Sequence, residues 1–200
     1  MLPRAAILIS GRGSNMEAIL NSRSQIPAEF SLVLSDKAGA EGLEVARKAG
    51  ISVAVIERGK GEPKATHEFQ MIEVLKDAGV THIVLAGFMR ILSKNFLDHF
   101  VATLNIHPSL LPSLPGLNTH ARALKSNLSV HGCTVHLVDS GIDTGPILAQ
   151  AGLSVGPNET PDSLAAKVLK LEHSLYPVTI SNFLRGRSQN QALATDHSTG

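Results

Sequence analysis

The sequence is poor in cysteine, in aromatic residues and in net charge. It contains a single cysteine, Cys133, which excludes an internal disulfide framework and a zinc site built from several cysteines. It has no tryptophan and only one tyrosine, so we expect no aromatic platform for single-stranded nucleic acid. Basic and acidic residues nearly balance, and the formal charge of +1 gives no general attraction for nucleic acid or a membrane surface.

Long apolar runs are also missing. No segment approaches the roughly 20 apolar residues that span a membrane, and the apolar run near the N-terminus is too short for a secretion signal. Apolar residues make up 43% of the 200-residue chain, which is enough to build a hydrophobic core. We therefore expect a soluble, cytoplasmic protein with a single domain at 1–186 and a polar tail at 187–200.

Short apolar runs alternate with amphipathic segments along the chain. The runs predict strands at 5–10, 30–34, 51–56, 82–86, 101–106, 130–138 and 147–155. The amphipathic segments predict helices at 15–21, 39–49, 64–78, just after Ser93, 119–126 and 161–184. This alternation predicts an α/β fold with three layers, α/β/α, and a mostly parallel twisted sheet whose N-terminal half is Rossmann-like.

A glycine loop, Ser10-Gly-Arg-Gly-Ser-Asn15, joins the first predicted strand to the first helix. Backbone N–H groups at such a junction can bind a phosphate, here through Gly13, Ser14 and Asn15. An equally good interpretation is a tight turn in which Ser14 or Asn15 only caps the helix. The third glycine of the dinucleotide fingerprint is missing, and we interpret Asp36 as the start of the turn into the second helix.

Two further segments carry candidate catalytic side chains. Asn105 and His107 are separated by one residue at the end of an apolar strand, so both side chains point to the same side. An amide beside an imidazole suits a reaction that develops an oxyanion while a proton moves. After the next strand, Asp143 could orient His107, whereas Asp139 is better explained as a turn residue. His136 is as well explained by packing as by function.

Other chemically reactive residues have simpler explanations. The nine histidines include no pair with metal-ligand spacing, so we expect no metal site. Cys133 lies within a strand pattern, as a buried thiol does, and Ser109 lacks the context of a hydrolase nucleophile. Spacing alone favours an exposed helix pair for Glu172 and His173.

Five segments nevertheless resemble one enzyme family. They are SGRGSN at 10–15, LAGFMRIL at 85–92, LNIHPSLLP at 104–112, DSGIDTGPI at 139–147 and LEHSLYP at 171–177. Their order and spacing resemble the glycinamide ribonucleotide transformylases, the folate-dependent phosphoribosylglycinamide formyltransferases of purine synthesis. The resemblance covers about residues 5–186 and implies the formyltransferase fold.

The resemblance implies transfer of a formyl group from 10-formyltetrahydrofolate to the amine of glycinamide ribonucleotide, on the route to IMP. The amine would attack directly, through a tetrahedral intermediate. By this resemblance Asn105 hydrogen-bonds the developing oxyanion, His107 manages the proton, and Asp143 positions or charges His107.

The resemblance also implies a nucleotide-phosphate-binding half at about 1–100 and a catalytic, folate-binding half at about 101–186. Residues implied to bind the ribonucleotide are Gly13, Ser14, Asn15 and Glu172. Residues implied to bind folate are Lys64, Met89, Arg90, Ile91, Leu92, Asn105, Asp139, Ser140, Gly141, Ile142 and Asp143. Lys64 departs from the arginine common in relatives, and Asn118 from a histidine.

Three alternatives differ in what they require. An enzyme that formylates methionyl-tRNA, or one that hydrolyses formylfolate, should carry an additional domain, which the chain length does not favour. A non-catalytic sugar-phosphate sensor would not need Asn105, His107 and Asp143 together. We expect only small-molecule partners, neither nucleic acid nor a membrane, and a monomer or weak homodimer.

Overall fold

A seven-stranded sheet forms the centre of the computed structural model, which describes residues 1–186. The predicted tail at 187–200 lies outside the described residues. The strands are β1 Arg4–Ile9, β2 Glu29–Ser35, β3 Ser52–Val55, β4 His82–Leu85, β5 Ala102–His107, β6 Val130–Leu137 and β7 Ile147–Ser154. Their order across the sheet is β3-β2-β1-β4-β5-β6-β7.

The first five strands run parallel, and β6 lies antiparallel to both β5 and β7. The helices are α1 Ser14–Asn21, α2 Gly42–Lys48, α3 Lys64–Asp77, α4 Lys94–Leu97, α5 Thr119–Lys125 and α6 Pro161–Leu184. From β1 the strand order runs outwards through β2 to β3 on one side, and the chain then crosses back to β4 on the other side of β1. A crevice forms at such a reversal of strand order, where open α/β sheets bind their ligands.

Each face of the sheet is covered by its own hydrophobic cluster. Along β1, Ile7 and Ile9 belong to one cluster and Leu8 to the other, as alternating side chains require. The long helix α6 packs on the first face, with Leu164 and Val168 fully buried. Helices α3 and α4 cover the second face. The predicted three-layer, mostly parallel α/β fold is confirmed.

Two predicted helix starts are also present. Ser93 caps α4 by accepting the Phe96 N–H. Thr160 precedes Pro161, the first residue of α6, and forms a reciprocal capping box with Ser163. Helix α2 begins at Gly42, three residues later than predicted, because residues 37–40 form a turn closed by a hydrogen bond from Ala40 N to Lys37 O. A single 3-10 turn at Arg23–Gln25, which the sequence did not predict, follows α1.

Tyr176 ties α6 to the strands beneath the crevice. Its fully buried hydroxyl lies 2.9 Å from the carbonyl oxygen of Leu85 on β4 and 3.0 Å from that of Leu104 on β5, and it donates to them. This contact fixes the helix against the two strands whose ends approach the candidate site.

Replacing Tyr176 by phenylalanine should therefore lower stability without unfolding the protein. Loss of this hydrogen bond costs about 1 kcal/mol, which in a domain of this size lowers Tm by about 2–4 °C. Thermal unfolding followed by circular dichroism measures the effect. Ser174→Ala is the matched control, because it removes an exposed hydroxyl from the same helix. An equal change in both variants would contradict the role of the buried hydroxyl.

Candidate active site

A carboxylate, Asp143, lies at the centre of a group of polar side chains. Its Oδ2 is 3.2 Å from His107 Nδ1 and accepts the Gly116 N–H at 2.8 Å. The other ring nitrogen of His107 is 3.0 Å from the carbonyl oxygen of Leu114. Nε2 donates to this carbonyl oxygen, and the Asp143 carboxylate faces the Nδ1 edge of the ring. The predicted proximity of Asp143 and His107 is present.

His136 belongs to the same group. It lies opposite Asn105 in the antiparallel ladder, and the Asn105 Nδ2 atom is 3.1 Å from His136 Nε2. The Nδ1 of His136 is 2.8 Å from the Leu137 carbonyl oxygen, to which it donates, and this leaves Nε2 to accept from Asn105. Nε2 is also 3.6 Å from Asp143 Oδ1. His136 thus connects Asn105 to Asp143.

The electrostatics of Asp143 reflect these contacts. Burial by itself raises the pKa of this carboxyl. Contact with His136, the hydrogen bond from Gly116 and the charge of His107 outweigh burial, so the pKa lies below its ordinary value. Asp143 is therefore a carboxylate at neutral pH.

Local backbone geometry explains why the loop after β6 has this sequence. Asp143 has φ 54°, in the left-handed region that aspartate tolerates better than most residues. A Cβ at Gly145 would lie 1.9 Å from the Leu137 carbonyl oxygen, so only glycine fits there. The Asp139 carboxylate accepts from Gly141 N and Thr144 Oγ1, which makes it the turn residue that the sequence predicted.

A second loop, residues 108–118, covers His107. Thr134 on β6 accepts the Leu111 N–H and donates to the Ser109 carbonyl oxygen at 2.6 Å. Gln150 on β7 donates to Leu111 O and to Thr134 Oγ1. Ser109, which nothing in the sequence marks as a nucleophile, donates to the Ser113 carbonyl oxygen. These bonds hold the loop in which the Leu114 carbonyl faces His107 and the Gly116 amide faces Asp143.

A cavity of about 800 Å³ opens beside this group and has a mainly apolar lining. Its volume is that of a site for one small organic molecule. Predicted residues that line it are Met89, Arg90, Ile91, Leu92, Asn105, His107, Asp139, Gly141, Ile142 and Asp143. Lining residues that the sequence analysis did not select for this site include Phe88, Leu117, Thr119, His120 and His136.

Two predicted folate-binding residues are not among those that line the cavity. Ser140 lies in the loop between Asp139 and Gly141 but does not contribute to the lining. Lys64, at the first position of α3, is 3.7 Å from the buried carboxylate of Glu68 one turn later. Their proposed contacts with the folate stay predictions.

The residues expected to bind the ribonucleotide lie on two helices, at the start of α1 and within α6. Gly13 has φ 78° and precedes α1, and a Cβ there would lie 2.8 Å from Gly42 Cα. Neither Ser14 nor Asn15 caps the helix through its side chain. Asn15 Nδ2 instead donates at 2.7 Å to Glu172, whose carboxyl is buried, so the exposed helix pair is a wrong interpretation of Glu172. Burial raises the pKa of Glu172, although the Asn15 hydrogen bond opposes that shift.

Two histidines, His120 on α5 and His131 on β6, contact each other next to the site. His120 Nδ1 is 3.1 Å from His131 Nε2, and His131 is 1% exposed. Burial, then the charges of His120 and His107, lower the pKa of His131 to about 4. Burial and the charge of His107 also lower the pKa of His120. Both rings are therefore neutral at physiological pH and add no charge to the cavity.

Comparison with known proteins identifies the family of this site. A model of the formyl transferase family matches residues 3–180. The chain belongs to the formyl transferase family. It is 41% identical over 184 residues to the phosphoribosylglycinamide formyltransferase of Escherichia coli, and the match covers 90% of this chain and 87% of that protein.

Solved structures agree with the sequence comparison. The glycinamide ribonucleotide transformylase 1 of Symbiobacterium toebii superposes with a TM-score of 0.90 at 40% identity, covering 93% of this chain and 89% of that one. The phosphoribosylglycinamide formyltransferase of Brucella melitensis has 43% identity and a TM-score of 0.87, with 100% of each chain covered. The formyltransferase fold and the family predicted from the sequence are confirmed.

Some relatives are much longer. The chain is 42% identical over 188 residues to the trifunctional purine biosynthetic protein adenosine-3 of Drosophila pseudoobscura, but it spans only 14% of that protein's length. Within residues 1–186, no helix is both long and apolar enough to cross a membrane. Over the same residues, no three histidine, cysteine or acidic side chains are grouped as metal ligands.

Replacing the buried Glu172 by glutamine should stabilise the protein at pH 7. A carboxyl whose pKa is raised by folding destabilises the folded state once the pH exceeds its unfolded pKa, and below that pH the penalty disappears. We expect Tm to rise at pH 7 and to match the unmodified protein at pH 4.

Differential scanning calorimetry at the two pH values measures this change. Glu73→Gln, at an exposed position of α3, is the control and should leave Tm unchanged at both. A lower Tm for Glu172→Gln at pH 7 would mean that the charged carboxylate stabilises the fold.

Proposed function

We propose that this protein transfers the formyl group of 10-formyltetrahydrofolate to the primary amine of N1-(5-phospho-D-ribosyl)glycinamide in purine biosynthesis. The observation that carries the proposal is the contact network of Asn105, His136, Asp143 and His107 beside an apolar cavity. Family membership and the relatives' names support the same reaction.

In the proposed reaction the amine nitrogen forms a bond to the formyl carbon, and the formyl oxygen becomes an oxyanion. The bond from that carbon to the folate N10 then breaks, and the amine's proton replaces it on N10. No acyl-enzyme is needed, because the substrate amine is the nucleophile. What the protein must supply is a donor for the oxyanion and control of the proton.

Asn105 is the proposed oxyanion donor. Its Nδ2 carries two hydrogens, and the contact with His136 uses only one of them. The His136 ring therefore sets the orientation of the amide in the cavity wall. A preorganised donor of this kind stabilises developing charge without reorganising during the reaction.

His107 and Asp143 are proposed to act together. The carboxylate of Asp143 stabilises a positive charge on His107, which favours the oxyanion nearby. Direct proton transfer from Nε2 requires this nitrogen to exchange its contact with the Leu114 carbonyl oxygen for one with substrate. The loop that carries Leu114 therefore takes part in the proposed proton step.

The two substrates are proposed to bind on either side of this group. Apolar side chains at 88–92 and the loop at 139–143 suit a flat pterin, which needs an apolar slot edged by backbone polar groups. The N–H groups at Gly13, Ser14 and Asn15 suit the phosphate, and the Glu172 carboxylate suits the ribose hydroxyls. Lys64 and Ser140 are proposed to contact folate from outside the cavity.

Composition supports the remaining proposals about the protein's setting. A formal charge of +1 favours small-molecule partners over nucleic acid. We place the activity in the cytoplasm, in one domain at 1–186, as a monomer or weak homodimer that needs no metal.

Removing the oxyanion donor tests the proposed reaction most simply. Asn105→Ala should lower kcat by about 10²–10³-fold, the usual loss for one such donor. Formyl transfer is measured by absorbance, and ribonucleotide affinity, measured by calorimetry, should stay unchanged. Asn95→Ala, on the exposed side of α4, is the control. Full formyl-transfer activity in Asn105→Ala would reject Asn105 as the oxyanion donor.

Removing the charge of Asp143 tests the second half of the site. Asp143→Asn keeps an acceptor for Gly116 but no longer balances a charge on His107, so kcat should fall by about 10²–10⁴-fold. The measurement is turnover at saturating concentrations of both substrates. Asp98→Asn, which breaks only an exposed pair with Lys94, should be fully active. Equal losses of turnover and of ribonucleotide affinity in Asp143→Asn would contradict the assignment.

A further inference from the structure

One wall of the cavity has no regular secondary structure. The segment 87–93 follows β4 and precedes α4, and it belongs to neither a helix nor a strand. Its side chains divide in two directions: Phe88 and Leu92 are buried in the second hydrophobic cluster, whereas Met89 and Ile91 are 64% and 59% exposed beside the cavity. No sheet ladder holds this wall in shape, so other contacts must do so.

A buried carboxylate fastens the first half of the wall. Asp36 follows β2 and is 4% exposed. Its Oδ2 accepts from Arg90 Nε at 2.6 Å, and its Oδ1 accepts from Ser10 Oγ at 2.6 Å. Ser10 Oγ in turn accepts the Met89 N–H at 2.9 Å. Asp36 therefore holds two successive wall residues, one through its charge and one through a serine.

A second buried carboxylate fastens the far end. Glu68, on α3, is 4% exposed and accepts the Ser93 N–H at 2.8 Å. It also accepts from the Ser93 hydroxyl, which at the same time caps α4. The Lys64 Nζ atom lies 3.7 Å from Glu68 Oε1, and within residues 1–186 it is the only cationic group that pairs with this carboxylate.

Burying a carboxylate is costly unless charged or hydrogen-bonded partners compensate it. Here both carboxylates bind the segment 87–93. Asp36 reaches it from the end of β2 and binds Arg90, and Glu68 reaches it from α3 and binds Ser93. Neither carboxylate lines the cavity itself.

We propose that Asp36 and Glu68 are positioning residues for the formyl donor, which fix the segment 87–93 so that a preformed wall receives the pterin. This inference rests on the proposed function. Asp36 acts through Arg90 and Ser10, and Glu68 acts through Ser93. On the nucleotide side, the Asn15–Glu172 hydrogen bond shares no residue with this network, whose nearest member in the chain, Ser10, precedes Gly13 by three residues.

The test is a split between the two substrates. Asp36→Asn removes the charge that holds Arg90, so KM for the formyl donor should rise by about tenfold, as expected for one charged hydrogen bond. The values of kcat and of KM for the ribonucleotide should stay unchanged. Glu68→Gln should shift the same constant in the same direction. Glu29→Gln removes a carboxylate from the opposite end of β2, in an exposed pair with Arg4, and is the matched control.

A double variant separates positioning from general stability. Because Asp36 acts through Arg90 and also through Ser10, adding Asp36→Asn to Arg90→Leu should raise the donor KM by a smaller factor than Asp36→Asn does alone. Additive effects, equal changes in both KM values, or a lower Tm with both KM values unchanged would overturn the proposal.

Binding of a non-reactive deaza analogue of the formylfolate, measured by calorimetry, keeps this test independent of turnover. If the unmodified protein binds the analogue but transfers no formyl group, the proposed reaction fails, and a tenfold weaker Kd in Asp36→Asn still supports positioning. If the unmodified protein transfers the group and Asp36→Asn binds the analogue normally, positioning alone fails. If the unmodified protein does not bind the analogue, both are overturned.

Discussion

The candidate site depends on the contacts of the Asp143 carboxylate. One oxygen faces His107 and accepts the Gly116 amide, and the other faces His136, which in turn contacts Asn105. A single charge thus joins β5, β6 and the loop that covers His107. The pKa of Asp143 lies below its ordinary value because these contacts outweigh its burial, so the charge persists across the physiological range.

Contacts elsewhere in the fold position the Asp143 carboxylate. Glycine is required at 145, where the backbone passes the Leu137 carbonyl oxygen, and the Asp139 carboxylate closes the turn before Asp143. On the other side, Thr134 and Gln150 bind the backbone of the loop at 108–118. Polar side chains on the antiparallel strands therefore shape the loop at 108–118, and residues of the loop after β6 shape that loop themselves.

The sequence predicted the layers and the strand and helix positions, because apolar periodicity is a local signal. It predicted the meeting of His107 with Asp143 from chemistry, because an imidazole at one strand end needs a carboxylate to orient it. It did not predict the contact of His136 with Asn105, which depends on β6 pairing antiparallel to β5. It also interpreted Glu172 as exposed from spacing alone, and burial against Asn15 is a tertiary property. Asp36 was interpreted only as a turn residue, since its partners Ser10 and Arg90 are distant in the chain.

The most direct test of Asp143 as the organising charge is an NMR comparison of histidine ring nitrogens in the unmodified protein and in Asp143→Asn. The account predicts that the ring ¹⁵N signals of His107 and His136 both shift, because each ring loses its carboxylate contact. The signals of His82 and His99, which lie outside the network, should not move. Unchanged signals for His107 and His136 would contradict the account.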